Sequence, residues 1–392
     1  MNVVLISPNF PPNYYNFALA LCHTGATVLA IGDAPYDDLR PELQDAITEY
    51  FRVDSLHYYD QVLRACAYFT FNYGKLNRLE SHNECWLETD ARLRTDFNIP
   101  GLKIGAVERI KRKSLMKQAF IDAGVDVAAG GIRRTLDEAR DFVAEVGYPI
   151  IAKPDVGVGS ADTFKIGSDQ ELARFFAEKP LMDYVLEEFI EGDLYSFDGL
   201  TDQDGRLVFS TAHFYQPSIM DVVNEDLDVF ACSLRQIPAG LKHAGTLAVR
   251  AFDVRERFFH IEFFRVPSEQ AGEDEPRWVA VEMNMRPPGG LMLDVINYAN
   301  DIDLYQQWAN VVVFNSYDAE AWRPYHCAFV GRKRRFDYRH TLPEIRKAYG
   351  PLIVHHMPIA PVFSRAMGDY AYILRAPKLA DLQAAIDFIM AQ

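Results

Sequence analysis

The stretch Trp278-Val-Ala-Val-Glu-Met-Asn-Met-Arg286 places an acid, an amide and a guanidinium at alternate positions: Glu282, Asn284 and Arg286. Alternate side chains of an extended strand share a face, so these three stand in a row about 13 Å long at roughly 3.3 Å per residue. Val279, Val281, Met283 and Met285 are expected on the other face. Phe259-His-Ile-Glu-Phe263 repeats the pattern, with His260 and Glu262 opposite Phe259, Ile261 and Phe263. Two adjacent strands then present two carboxylates on one face. Mg2+ takes oxygen ligands and binds through one or two carboxylates plus substrate phosphates. Glu262, Glu282 and Asn284 supply such a set, and Arg286 can neutralise charge on a transferring phosphoryl group. An exposed sheet face with an ion pair would share the first alternation; its repetition on the second stretch favours a metal site.

A site of that kind needs groups that hold phosphate. Lys113, Lys153 and the backbone amides of residues 156–161, a segment containing Gly157, Gly159 and Ser160, provide them. Small residues let backbone N–H groups approach oxyanions closely. Each element is ambiguous alone, since a lysine at a strand end is usually a solvated charge. Around them the pattern predicts strands over Tyr148–Lys153, Thr163–Ile166 and Tyr184–Phe189. Capping boxes at Thr135/Glu138 and Ser168/Glu171 open helices that end near Gly147 and Ala177.

The remaining elements must position this machinery. Asn2–Ile6 and Thr27–Ile31 read as the strands of a β-α-β unit. Such units bind ligands at the carboxyl ends of their strands, but the turn Ser7-Pro-Asn-Phe-Pro-Pro lacks GxGxxG, which argues against a dinucleotide. Tyr68–Tyr73 and Ile99–Ile104 are expected as strands or loops, with a charged helix over Ser81–Arg94. Tyr195–Leu200 and Arg206–Phe214 are joined through the hairpin signal Asp204-Gly205. Phe258–Val266 and Arg277–Met285 flank an acidic loop, Ser268–Pro276. A helix is expected from Gly290 to Val313, and short strands precede a closing helix, Leu379–Met390. The division expected is an α/β domain over 1–105, a small module over 106–190, a larger antiparallel α+β module over 191–320 and an extension over 321–392.

The chain has 392 residues with 40 Lys plus Arg against 55 Asp plus Glu, a formal net charge of −15. That balance repels nucleic acid and anionic lipid over most of the surface. The basic run Gly331-Arg-Lys-Arg-Arg-Phe336 is too short to reverse it; it reads as a solvated strand edge, the alternative being Arg332 or Arg334 anchoring a substrate carboxylate. With 49% hydrophobic residues, disorder as the main state is excluded. No membrane span or secretory signal is expected, and five scattered cysteines without a CxxC pair point to a reducing, cytoplasmic setting. His213, His260, His355 and His356 read mostly as structural, and the aromatic residues as core and cleft lining.

The motif order is itself informative. Lys113-Ser-Leu-Met-Lys-x-Ala-Phe-x-x-Ala-Gly-Val is followed by Gly-Tyr-Pro-Ile-Ile-Ala-Lys153-Pro-Asp-x-Gly-x-Gly-Ser, Val-Leu-Glu187-Glu188-Phe-Ile-Glu-Gly, His-Ile-Glu262 and Glu282-x-Asn-x-Arg-Pro-Pro-Gly-Gly. This resembles the ATP-grasp superfamily, above all stand-alone carboxylate-amine ligases such as the L-amino-acid ligases, and more distantly carbamoyl-phosphate synthase and biotin carboxylase modules. The resemblance implies an α/β and α+β chain, an ATP-grasp fold behind a Rossmann-like N-terminal domain. It also implies that Lys113 and Lys153 contact ATP phosphates under a loop containing Gly157, Gly159 and Ser160. The strand Glu187–Ile190 would hold adenine through backbone groups of Glu188 and Ile190. Glu262, Glu282 and Asn284 would carry two Mg2+ (or Mn2+) ions, with Arg286 stabilising an acyl-phosphate or the oxyanion formed on amine attack.

Two features depart from the family pattern. Gly192-Asp193-Leu194 stands where many relatives have Gly-x-Glu, so ribose contact falls to Asp193 or Glu191, or is absent. The loop is also poorer in glycine than that of the carboxylases. The expected activity is ATP- and Mg-dependent, ADP-forming ligation of a carboxylate to an amine through an acyl-phosphate, on an amino acid or small peptide. A non-catalytic ATP-binding regulatory protein is the alternative; a glycosyltransferase-like reading of the first turn leaves the later motifs unexplained. Small-molecule carboxylate and amine partners are expected, with no nucleic acid or membrane partner, and a homodimer is left open.

Overall fold

The computed structural model describes residues 1–157, 162–216, 227–268, 275–320 and 322–392. Strands β1 (Asn2–Ile6), β2 (Thr27–Gly32), β3 (Glu49–Arg52) and β4 (Arg78–Glu80) form a parallel sheet ordered β3-β2-β1-β4. Val3 and Leu5 pack into one apolar cluster while Val4 and Ile6 pack into another. Burial on both faces is why β1 and β2 read as unbroken apolar runs. The initial β-α-β unit is present as expected, its helix being Tyr15–His23.

Tyr68–Tyr73 is neither strand nor loop but the end of the helix Tyr59–Tyr73. Its buried residues Val62, Ala65, Cys66 and Phe69 recur at helical spacing, and that period outweighs the short aromatic alternation at its end. The helix expected over Ser81–Arg94 begins later, as Leu87–Asp96 after a 3-10 turn at Glu84–Trp86. Residues 99–103 form a connection into the helix Ile104–Lys111.

Strands β5 (Gly130–Ile132), β6 (Ile150–Pro154), β7 (Phe164–Ile166) and β8 (Tyr184–Glu188) form an antiparallel sheet ordered β5-β8-β6-β7. The capping box of Thr135 and Glu138 is reciprocal and opens the helix Leu136–Val146. At Ser168 only half a box forms: its hydroxyl accepts from Glu171 N–H at 3.3 Å. The Glu171 carboxylate turns instead to Gly167 N–H at 2.8 Å.

The third sheet has eight antiparallel strands, β9 (Asp193–Thr201), β10 (Leu207–Gln216), β11 (Val229–Ser233), β12 (Phe258–Val266), β13 (Arg277–Asn284), β14 (His326–Arg332), β15 (Ile353–Pro358) and β16 (Tyr370–Ala376). Their order is β13-β12-β9-β10-β11-β14-β16-β15. The strict alternation expected along β13 fails at one place. Glu262 pairs with Glu282 but Phe263 pairs with Ala280, so Val281 is the extra residue of a bulge. Beyond it the faces exchange: Trp278 and Ala280 join Met283 and Met285 in one core, while Val279 packs with Ala128 on the other side.

The helix expected from Gly290 to Val313 is two helices, Met292–Asn300 and Leu304–Phe314. Asp301 adopts a left-handed φ of +54°, and the Asp303 carboxylate caps the second helix by accepting from Tyr305 and Gln306 N–H. The basic run is solvated only in part, at Arg334 and Arg335. β14 lies between β11 and β16, so Arg332 and Lys333 at its end are buried. Arg332 lies over the Tyr338 ring and Lys333 Nζ donates to the Arg365 carbonyl. Among the described residues no helix is long and apolar enough to cross a membrane.

Candidate active site

A cleft of about 1050 Å³ is lined by residues of the two antiparallel sheets and by the segments that follow β1 and β4. Lys113 opens the helix Lys113–Asp122, whose N-terminus is tied to the loop after β6 by one buried acid. Lys113 N–H donates to the Asp155 carbonyl and Ser114 N–H to Asp155 Oδ1, both at 2.8 Å. A carboxylate at a helix N-terminus satisfies an orphan donor and complements the helix dipole. Lys113 Nζ then reaches Glu282 Oε1 at 2.8 Å and the Gly157 carbonyl at 3.1 Å. Gly159 and Ser160 lie outside the described residues.

Lys153, on β6, sits 2.6 Å from Glu187 Oε2 on β8. The other oxygen of Glu187 is 2.7 Å from Lys117, one helical turn beyond Lys113. Burial opposes the Glu187 charge, but Lys153 and Lys117 hold its carboxyl below the usual range. Glu187 is therefore a bridge between two lysines. Glu188 is locked by its neighbour Ala129, to whose carbonyl it donates at 2.9 Å and from whose N–H its carboxylate accepts at 2.7 Å. Glu188, Phe189 and Ile190 line the cleft, whereas Asp193 is exposed, 3.9 Å from Arg265, and does not line it. Arg332 and Arg334 do not line it either.

Glu262 and Glu282 face each other across β12 and β13. Their surroundings push them apart. Burial raises Glu282 above the usual carboxylate range, Lys113 opposing and Glu262 adding to the shift. Burial also disfavours the charge on Glu262, yet His260, then Arg286 and Lys113, hold it below that range. Arg286 donates from Nη2 to Asn284 Oδ1 at 3.3 Å, and its Nε and Nη2 lie 3.0 and 2.9 Å from Glu84 Oε2.

Behind Glu262 lies a polar cluster that the sequence pattern missed. Asp198 of β9 takes His260 Nδ1 at 2.5 Å on one oxygen and His213 Nδ1 at 2.8 Å on the other. Ser196 also donates to it. His260 Nε2 is left 3.4 Å from Glu262 Oε1. Burial pulls His260 down, but Asp198 and Glu262 overcome it and raise it to about 9, so it faces Glu262 as a cation. The signal available in the sequence was the polar alternation Ser196, Asp198 within an otherwise apolar strand. Glu84 and Lys117 were missed as well.

The carboxylate pair and amide oxygen fit a hard divalent cation. Among the described residues no three His, Cys, Asp or Glu side chains group into a self-sufficient cage, so a cation here would draw its remaining ligands from phosphate and water.

No family model matches the chain. A segment is similar to the carbamoyl phosphate synthase large chain of Clavibacter michiganensis subsp. michiganensis, with 31% identity over 96 residues, 24% of this chain and 9% of that protein. This chain thus spans only a small part of that relative. Whole-chain likeness is structural. The L-amino acid ligase from Bacillus licheniformis superposes with a TM-score of 0.73 at 13% identity, covering 98% of this chain and 95% of that one. The biotin carboxylase domain of Hydrogenobacter thermophilus 2-oxoglutarate carboxylase, in complex with MgADP and bicarbonate, superposes with a TM-score of 0.69 at 17% identity, covering 96% and 86%. The chain has the ATP-grasp fold.

Proposed function

We propose that this chain is an ATP- and Mg-dependent, ADP-forming ligase that joins the carboxylate of an amino acid or short peptide to an amine through an acyl-phosphate. The observation that carries this reading is the cross-strand Glu262–Glu282 pair with Lys113 at 2.8 Å, facing the same cleft as Lys153 and Arg286. Nucleotide fits the side of the cleft made by Lys153, Glu188 and Ile190; the MgADP of the similar carboxylase domain supports that choice.

On this reading a substrate carboxylate oxygen attacks the terminal phosphorus of ATP and ADP leaves. The amine nitrogen then attacks the acyl carbon, phosphate leaves, and the nitrogen sheds its proton to solvent. Lys113 and Lys153 bind and orient phosphate oxygens, and Arg286 offsets negative charge as it develops on the acyl oxygen. Glu262, Glu282 and Asn284 would hold Mg2+, which when bound would screen charge on the phosphate oxygens. Glu84 keeps Arg286 oriented.

The test is phosphate release from ATP and Mg2+ across a panel of single amino acids and amines. Release that requires an added amino acid, with a matching condensation product by mass spectrometry, is expected. Nucleotide binding without turnover for any acceptor would instead favour the non-catalytic alternative.

A further inference from the structure

Beyond Arg286 the cleft continues between two segments far apart in sequence, the loop after β1 and the helix Pro361–Met367. Phe10 from the loop and Phe363 from the helix stack across it, centroids 5.3 Å apart and planes 7° from parallel. Both rings are half-buried, and among the described residues neither belongs to a packed apolar core.

Both segments are held in place. Asn13 donates to the Gly290 carbonyl at 3.2 Å and to Asp294 at 2.7 Å, which fixes the loop beside the Arg286-Pro-Pro-Gly-Gly turn. The helix is seated by Met367. A Cβ on Gly290 would fall 2.1 Å from Met367 Cε, and one on Gly331 2.1 Å from the Met367 carbonyl. The methionine side chain therefore occupies the space that a side chain at position 290 would take. Phe329 of β14 and Met292 line the same end. Arg286 and Glu84 pair at its inner margin, and Arg365 of the same helix also lines the cleft.

Resting on the ligase reading, we propose that the Phe10–Phe363 pair and Met367 form the wall that selects the substrate side chain, and that it selects a large apolar one. Half-exposed aromatic rings gain from an apolar occupant that removes their faces from water. A charged side chain would have to give up its hydration to enter beside them. Phe10, Phe363 and Met367 are specificity residues here and take no part in the chemistry.

The test is calorimetric titration of the full chain, with ADP and Mg2+ present, by glycine, L-alanine, L-leucine and L-phenylalanine. The two bulky amino acids are expected to bind at least about tenfold tighter than glycine, in line with the discrimination apolar pockets achieve. Phe363→Ala and, independently, Phe10→Ala should bring all four within about threefold, while Phe363→Leu keeps the ranking. Equal binding of the four to the unaltered chain, no binding of any, or an unchanged ranking in both alanine variants overturns the proposal. The expected ranking without phosphate release or condensation would leave the side-chain wall standing and sink the ligase reading.

Discussion

Asp198 Oδ1 lies 2.5 Å from His260 Nδ1, with both side chains buried under the carboxylate face of the large sheet. The same carboxylate holds His213, so one acid on β9 fixes two imidazoles from β12 and β10. Because His260 Nδ1 is committed to Asp198, only Nε2 can address Glu262. Burial opposes the charge on Asp198, yet the two histidines hold it well below the usual carboxylate range. The cluster thus keeps a cation directly behind one proposed metal ligand.

Asp198→Asn should weaken that arrangement. Removing one charge of a buried pair costs roughly 3–5 kcal/mol, so a loss of about 3 kcal/mol is expected in urea unfolding. Because partners behind metal ligands typically contribute about 10–100-fold, Mn2+ binding followed by electron paramagnetic resonance should weaken about tenfold. Unchanged Mn2+ affinity would show that the cluster is structural only.

Glu282→Gln should separate chemistry from folding. Burial already disfavours the Glu282 charge, and among the described residues it pairs with Lys113. Neutralising it therefore leaves stability within about 1 kcal/mol, as for partly exposed pairs. Turnover should fall about 100-fold or more, at or beyond the top of the range for residues around a metal. Near-normal turnover would remove Glu282 from the metal site.

Lys153→Met should act on nucleotide binding. Glu187 would retain Lys117, so its buried charge stays partnered. A charged hydrogen bond is worth about 1.5–3 kcal/mol, equivalent to roughly 10- to 100-fold. The KM for ATP should rise by that factor in initial-rate measurements while the urea midpoint moves little. An unchanged KM would mean that Lys153 serves only Glu187.

The parts of this site that lie close together in sequence were legible, and those made by packing distant segments were not. Glu282, Asn284 and Arg286 are spaced two apart, and two-residue periodicity is what a strand imposes. The Arg286–Glu84 pair joins residues 202 positions apart, and nothing in the local pattern of either predicts the other. His260 meets Asp198 because β12 and β9 align those two residues, a register that depends on the whole sheet. The bulge at Val281 was likewise invisible, since a single extra residue leaves composition and spacing unchanged. The basic run misled because Arg332 and Lys333 end an interior strand, and strand order was not available from the chain alone.

A last prediction concerns acid. Glu80, at the end of β4, accepts from Arg257 Nη2 at 3.0 Å and from Arg94 Nη2 at 2.9 Å, joining the parallel sheet to the large one. Burial alone would raise its pKa, but Arg257 and Arg94 override burial and bring it down to about 2. The unfolded chain then takes up this proton first, so the contribution is complete above the ordinary glutamate value near 4.5 and is lost as pH falls toward 2. Neighbouring Asp90 has the opposite sign. Burial, opposed by Arg94, pushes it up to about 7, so folding favours its protonated form and stability declines as pH rises from about 4 toward 7. Urea midpoints across pH 2–8 should show the acid limb flattened in Glu80→Gln, on a curve lowered throughout because two buried arginines lose their partner. Asp90→Asn should remove the decline on the neutral side and leave the acid limb intact. A Glu80→Gln curve that keeps the full slope between pH 4.5 and 2 would place the acid sensitivity elsewhere, with Asp198 the next residue to test.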